Sequence, residues 1–158
     1  MKESKVSSEH PLGDVGQLIL FVVFVIIWVV DSFFLRKSTF LSVFVPMPIR
    51  IIVLTVLVCL AGYLIKSGHV VVSHKGKPKG VVKTGVFQYI RHPLYLGTML
   101  FYLGLVVSTM SVFSFALLIF IFAFYNYIAG YEEKLLEEMY GDEYKTYKVK
   151  TGKWLPRV

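Results

Sequence analysis

Between residues 93 and 130 the chain has no Asp, Glu, Lys or Arg. An uncharged run of 38 residues excludes a solvated surface segment. It is too long for one membrane span of about 20 residues and suits two. Acids are also missing from 67–92, although that stretch holds Lys75, Lys77, Lys79, Lys83 and Arg91. The single cysteine, Cys59, excludes disulfides and cysteine metal sites, and its apolar surroundings make it an expected buried hydrophobe. There is no internal repeat and no low-complexity segment. Charged residues are only 17% of the chain against 56% hydrophobic, with mean hydropathy +0.66, which excludes an ordinary soluble domain. Net charge is +7, but the bases form no nucleic-acid face, so no nucleic-acid partner is expected.

What is present is membrane-grade. Residues 16–35, "GQLILFVVFVIIWVVDSFFL", suit a first span. The run is too long for a signal-peptide core and lacks a small-residue cleavage site, so it reads as a retained helix. Asp31 near its end falls in the headgroup zone or serves an intramembrane role. A break at "VPMP" precedes a second span over roughly 49–66. The run 93–130 reads as a helical hairpin, 94–108 and 111–130, turning near "STMS". The expectation is one all-α integral membrane domain, 1–158, of about four transmembrane helices. It divides into two N-terminal spans (1–66), a basic loop (67–92), the hairpin (93–130) and a cytosolic tail with an amphipathic helix (131–158). The Lys/Arg-rich loop and tail lie on one side, which the positive-inside rule makes cytoplasmic together with both termini. Arg36, Lys37 and Arg50 fall on the far side against that bias.

Two polar constellations remain. In "YIRHPLYLG" (89–97), Pro93 suits the first position of the third helix, with His92 at the cap and Arg91 just outside. Unpaired N–H groups and the helix dipole there attract an anion, and Arg91 and His92 strengthen that field. An interfacial anchor with Arg91 reaching the headgroups explains the same residues. Gly97, Phe101, Gly104 and Ser108 share one face that lets another helix approach closely. The second constellation is "YEEKLLEEMYGDEYKTY" (131–147). Projected as one helix, Leu135, Leu136, Met139, Tyr140 and Tyr147 form an apolar stripe. Glu132 falls near its middle and Glu133 at its edge, while Glu137 and Glu138 read as solvated. A buried acid beside a span needs a partner: Arg91, a loop lysine or a ligand cation. A carboxylate and an anion-attracting helix mouth on the same side together suit a zwitterion.

These blocks also carry a resemblance. "KGVVKTGVFQYIRHPLYLG" followed by "EEKLLEEMYGDEYKTYKVKTGKWLP" resembles the isoprenylcysteine carboxyl methyltransferase and phospholipid methyltransferase superfamily across residues 79–156. The resemblance implies an integral membrane enzyme that uses S-adenosyl-L-methionine on the cytosolic side. It implies a pocket lined by Lys79, Gly80, Val81, Val82 and Phe87, with His92, Pro93, Leu94, Tyr95 and Glu132 contacting the cofactor. Arg91 and Glu132 are the expected catalytic residues, Asn126 and Tyr127 the expected acceptor contacts. No metal is expected; the expected partners are membrane lipids and an apolar, lipid-like methyl acceptor. Family members often have Tyr at the position of Phe87. The prenylcysteine enzymes carry a substrate-binding Arg where this chain has Ile128. Two other readings stand beside this one: an NADPH-dependent membrane reductase of sterol or steroid type, and a non-enzymatic scaffold or lipid-binding module.

Overall fold

The computed structural model describes residues 13–74 and 80–157. Five α-helices account for most of them: α1 (Gly13–Val29), α2 (Met47–His74), α3 (Pro93–Thr109), α4 (Val112–Tyr140) and α5 (Asp142–Lys150). Among the described residues no strand forms; Ile90 and Gly152 make an isolated parallel bridge. The chain is an all-α membrane protein. Among the described residues three helices are long and apolar enough to cross a bilayer: α1 with its extension to Leu35, α2 and α4. At 17 residues α3 is shorter, about 25 Å at 1.5 Å per residue.

Packing follows the small residues. α2 lies along α3, where a Cβ on Gly97 would sit 2.8 Å from Ile65 Cγ1 and 3.0 Å from the Ala61 carbonyl oxygen. A Cβ on Gly104 would meet Leu54 at 3.2 Å. The small-residue face expected on the third helix is thus the seat of α2. α4 packs against both α1 and α3. The shared core takes Phe24 from α1, Met99, Tyr102 and Val106 from α3, and Leu118, Ile121 and Tyr125 from α4. Ile52, Val56, Phe113 and Phe120 are each more than half exposed on the outside, as a lipid-facing surface requires. Cys59, expected to be buried, is exposed on α2.

The boundaries differ from the sequence reading in two places. α2 runs on to His74, so 67–74 is helix and not loop. Gly68 does not break it because the missing side chain makes room for Leu94 of α3, whose Cγ would lie 3.0 Å from a Cβ. α4 continues through 131 to Tyr140, because the Glu, Lys and Leu residues there are good helix formers. The break comes at Gly141, with φ of +53°, and only then does α5 begin. Tyr147 therefore belongs to a different helix from Leu135 and Leu136.

Asp31 is buried, 2% exposed, inside a π-helical turn over Val30–Leu35. Its carboxylate accepts hydrogen bonds from Ser38 N at 3.2 Å, from the Ser38 hydroxyl, and from Ser111 Oγ at 2.6 Å. Ser111 is the N-cap of α4 and accepts from Ser114 N. Asp31 therefore ties the end of α1 to the α3–α4 turn, enclosed among side chains at that end of the bundle.

Candidate functional site

At the opposite end of the bundle, Pro93 is the first residue of α3 and His92 its N-cap. Proline fits there because its absent N–H has no partner in the first turn and its φ is already helical. The His92 side chain makes no capping bond. Its buried ring turns toward α4, where Nε2 lies 3.1 Å from Glu133 Oε1 and Nδ1 3.8 Å from Glu132 Oε2. Tyr95, one turn into α3, donates its hydroxyl to Glu132 Oε1 at 2.5 Å. The His92 and Tyr95 rings are parallel, with centroids 5.7 Å apart. Trp154 lies 5.8 Å from His92, and Tyr125 meets Tyr95 edge-on at 5.2 Å.

The C-terminal tail closes the site from below. Arg91 N donates to the Gly152 carbonyl at 2.9 Å, and Gly152 N donates back to Tyr89 O at 3.3 Å. A Cβ at Gly152 would lie 1.6 Å from Leu155 O, so only glycine permits this turn. Arg91 is enclosed by the result. Its Nε donates to Glu133 Oε1 at 2.9 Å, and Nη1 donates to Lys148 O at 3.0 Å and to Thr151 O. Lys148 Nζ stands 3.3 Å from Glu133 Oε2 and 2.6 Å from Glu137 Oε1. The hydrogen bond to Glu137 is the main reason the Lys148 ammonium is held above its usual range. Burial draws His92 below its ordinary value and outweighs the opposing pull of Glu133.

The residues expected from the sequence separate into groups. His92, Pro93, Tyr95 and Glu132 converge at the mouth of α3. Leu94 faces Gly68 of α2. Gly80, Val81 and Val82 are partly buried, and a Cβ on Gly80 would lie 3.8 Å from both Glu143 carboxylate oxygens. Phe87 sits in a short 3₁₀ turn, Gly85–Gln88, and its carbonyl accepts from the Tyr147 hydroxyl at 2.6 Å. Lys79 lies outside the described residues. Asn126 binds the tail, accepting from Lys153 Nζ at 2.8 Å and Trp154 Nε1 at 3.3 Å. Tyr127 is 66% exposed on the outer face of α4.

Three readings of the acidic helix need correction. Glu133 and not Glu132 is the more buried acid, with side chains 6% and 15% exposed. Glu137 is partly buried in its pair with Lys148, and Met139 is exposed. The apolar projection favours Glu132, whereas Glu133 is enclosed by polar partners from other segments: Arg91, His92 and Lys148. Lys148, Thr151, Gly152 and Trp154 have no signal in the sequence, because their contacts arise only from the way α5 and the residues after it fold back on Arg91, Glu133 and His92.

The family profile described as phospholipid methyltransferase matches residues 49–143. The protein-S-isoprenylcysteine O-methyltransferase of Saccharomyces cerevisiae is 36% identical over 93 residues, covering 57% of this chain and 38% of the yeast protein. The protein of the same name from Schizosaccharomyces pombe is 30% identical over 112 residues, covering 63% of this chain and 47% of its own. The aligned chain thus spans less than half the length of either relative. No solved structure matches. With more than half of its length under the profile, including both the "RHPLYLG" block and the paired glutamates, the chain belongs to the phospholipid methyltransferase family.

Proposed function

We propose that this chain transfers a methyl group from S-adenosyl-L-methionine to an apolar, lipid-like acceptor at the membrane surface. The observation that carries the reading is the convergence of His92, Tyr95 and Glu132 at the start of α3. The residue types fit the cofactor: a largely buried carboxylate suits its cationic groups, and the helix start suits its carboxylate. The aromatic edges of His92, Tyr95 and Trp154 give apolar walls beside them. Gly80, Val81, Val82 and Phe87 lie in the segment that leads into His92, and Pro93 and Leu94 open α3.

The cofactor, when bound, supplies an electrophilic methyl carried on a sulfonium. The protein's contribution is alignment and exclusion of water rather than a covalent intermediate. Glu132 holds the donor, Tyr95 fixes the Glu132 carboxylate, and Arg91, enclosed by Glu133 and two carbonyls, positions the segment that carries His92. The buried Ile128 leaves no charged partner for an acceptor carboxylate at the position where the prenylcysteine enzymes carry Arg. The acceptor is therefore recognised mainly by its apolar part, entering from the bilayer. The positive-inside rule puts this end, with both termini, in the cytoplasm. The homologous yeast proteins, named for methylation of isoprenylcysteine, support a lipid-linked acceptor class.

Calorimetric titration of the purified protein in detergent with S-adenosylmethionine and, separately, with NADPH tests the reading. Saturable binding of the former, lost in both Glu132→Gln and His92→Ala, is expected. Binding of NADPH instead, or of neither, overturns it.

A further inference from the structure

Glu133 is given no contact with cofactor or acceptor of its own, yet Arg91, His92 and Lys148 are all directed at its carboxylate. Its Oε1 receives Arg91 Nε at 2.9 Å and faces His92 Nε2 at 3.1 Å, while Oε2 faces Lys148 Nζ at 3.3 Å. With a guanidinium and an ammonium directed at it, Glu133 is an ionised carboxylate, and a carboxylate can only accept. The hydrogen on a neutral His92 ring must then lie on Nε2. Nδ1 is left with a lone pair, directed to the side where Glu132 Oε2 stands 3.8 Å away. At that distance two acceptors share no hydrogen bond, and a donor between them reaches both.

We infer that Glu133 is a positioning residue that locks His92 as its Nε2–H tautomer, so that Nδ1 and Glu132 present paired acceptors to an N–H or O–H donor of the ligand. The alternative tautomer would direct an N–H toward Glu132 at 3.8 Å, too far for a hydrogen bond, and would set the Nε2 lone pair against the Glu133 carboxylate at 3.1 Å, which is the larger penalty in a buried site. Arg91 and Lys153 set positive charge near the ring, Glu132, Glu133 and Tyr95 face it, and burial draws it toward the neutral form. The tautomer itself depends on no ligand; only its use in holding a donor rests on the proposed methyl transfer.

The test is nitrogen-15 NMR of histidine-labelled protein in detergent at neutral pH, with the His92 signals identified by their loss in His92→Asn. The expected spectrum has Nε2 protonated and Nδ1 bare. Glu133→Gln, which keeps an acceptor oxygen, is expected to retain that pattern. Glu133→Ala is expected to lose it and to weaken S-adenosylmethionine binding about tenfold, the effect of one lost hydrogen bond. An Nδ1–H tautomer or an imidazolium in the parent protein overturns the inference even if Glu133→Ala fails to fold. A bare Nδ1 that persists in a folded Glu133→Ala protein also overturns it. If the tautomer is as expected but no variant or parent binds S-adenosylmethionine, the tautomer lock stands and the proposed methyl transfer fails.

Discussion

Arg91 Nε and Glu133 Oε1 stand 2.9 Å apart, with side chains only 9% and 6% exposed. Forty-two residues separate the two in the chain. Their pairing joins the segment before α3 to the end of α4, and Lys148 and Thr151 carbonyls fasten the tail to the same guanidinium. Removing one partner leaves the other charge buried and uncompensated. Arg91→Ala and Glu133→Ala are each expected to destabilise the protein by about 3–5 kcal/mol. Arg91→Lys should rescue only part, since an ammonium cannot reproduce the fork. Denaturant unfolding in detergent, with the double variant closing the cycle, measures the coupling; additive single effects would rule the pair out as a coupled unit.

The α2–α3 contact predicts opposite outcomes at two glycines. Gly97→Ala places a Cβ against Ile65 and the Ala61 carbonyl, which forces backbone apart at a cost of about 1–3 kcal/mol. Gly62→Ala meets nothing within 4 Å and removes a flexible residue from a helix interior, a gain of about 0.5–1 kcal/mol. Thermal unfolding of both variants in one detergent checks the pair, and similar shifts in both would contradict the packing.

His92 gives a pH dependence with a definite sign. Its folded pKa lies below the ordinary value of 6.5, so the unfolded chain takes up a proton that the folded state resists. Stability is then lost as pH falls below 6.5 toward the folded value, and this ring contributes no slope well above 6.5. His92→Asn should flatten that part of the curve. Unfolding midpoints across pH 5 to 8 for parent and variant supply the comparison, and an unchanged slope in the variant would refute the assignment.

Asp31 separates stability from binding. Asp31→Ala strips the acceptor from Ser38 and Ser111 and loosens the N-cap of α4, at an expected cost of about 1–3 kcal/mol. Because this network lies at the far end of the bundle from His92, S-adenosylmethionine affinity should not change. Calorimetry on the folded variant decides it: an altered affinity means that the two ends communicate.

Much of this architecture is written in composition. An uncharged run of 38 residues cannot be anything but buried in protein or lipid, and Pro93 can only begin a helix, so the spans and the start of α3 were legible. Small residues at Gly97 and Gly104 announced a close helix contact, though not that α2 would make it. Rank among the acids was not legible. Whether Glu132 or Glu133 is enclosed depends on which segments close on α4, and Arg91, His92 and Lys148 close on Glu133. The same holds for Asp31, whose partners are 7 and 80 residues away, and for Arg91, which closes on a tail brought back by the turn at Gly152. Sequence by itself determined which segments leave water, because transfer of apolar area is a local property of side chains. Only tertiary structure decided which polar groups meet, because each buried charge takes the partner that helix register places within reach.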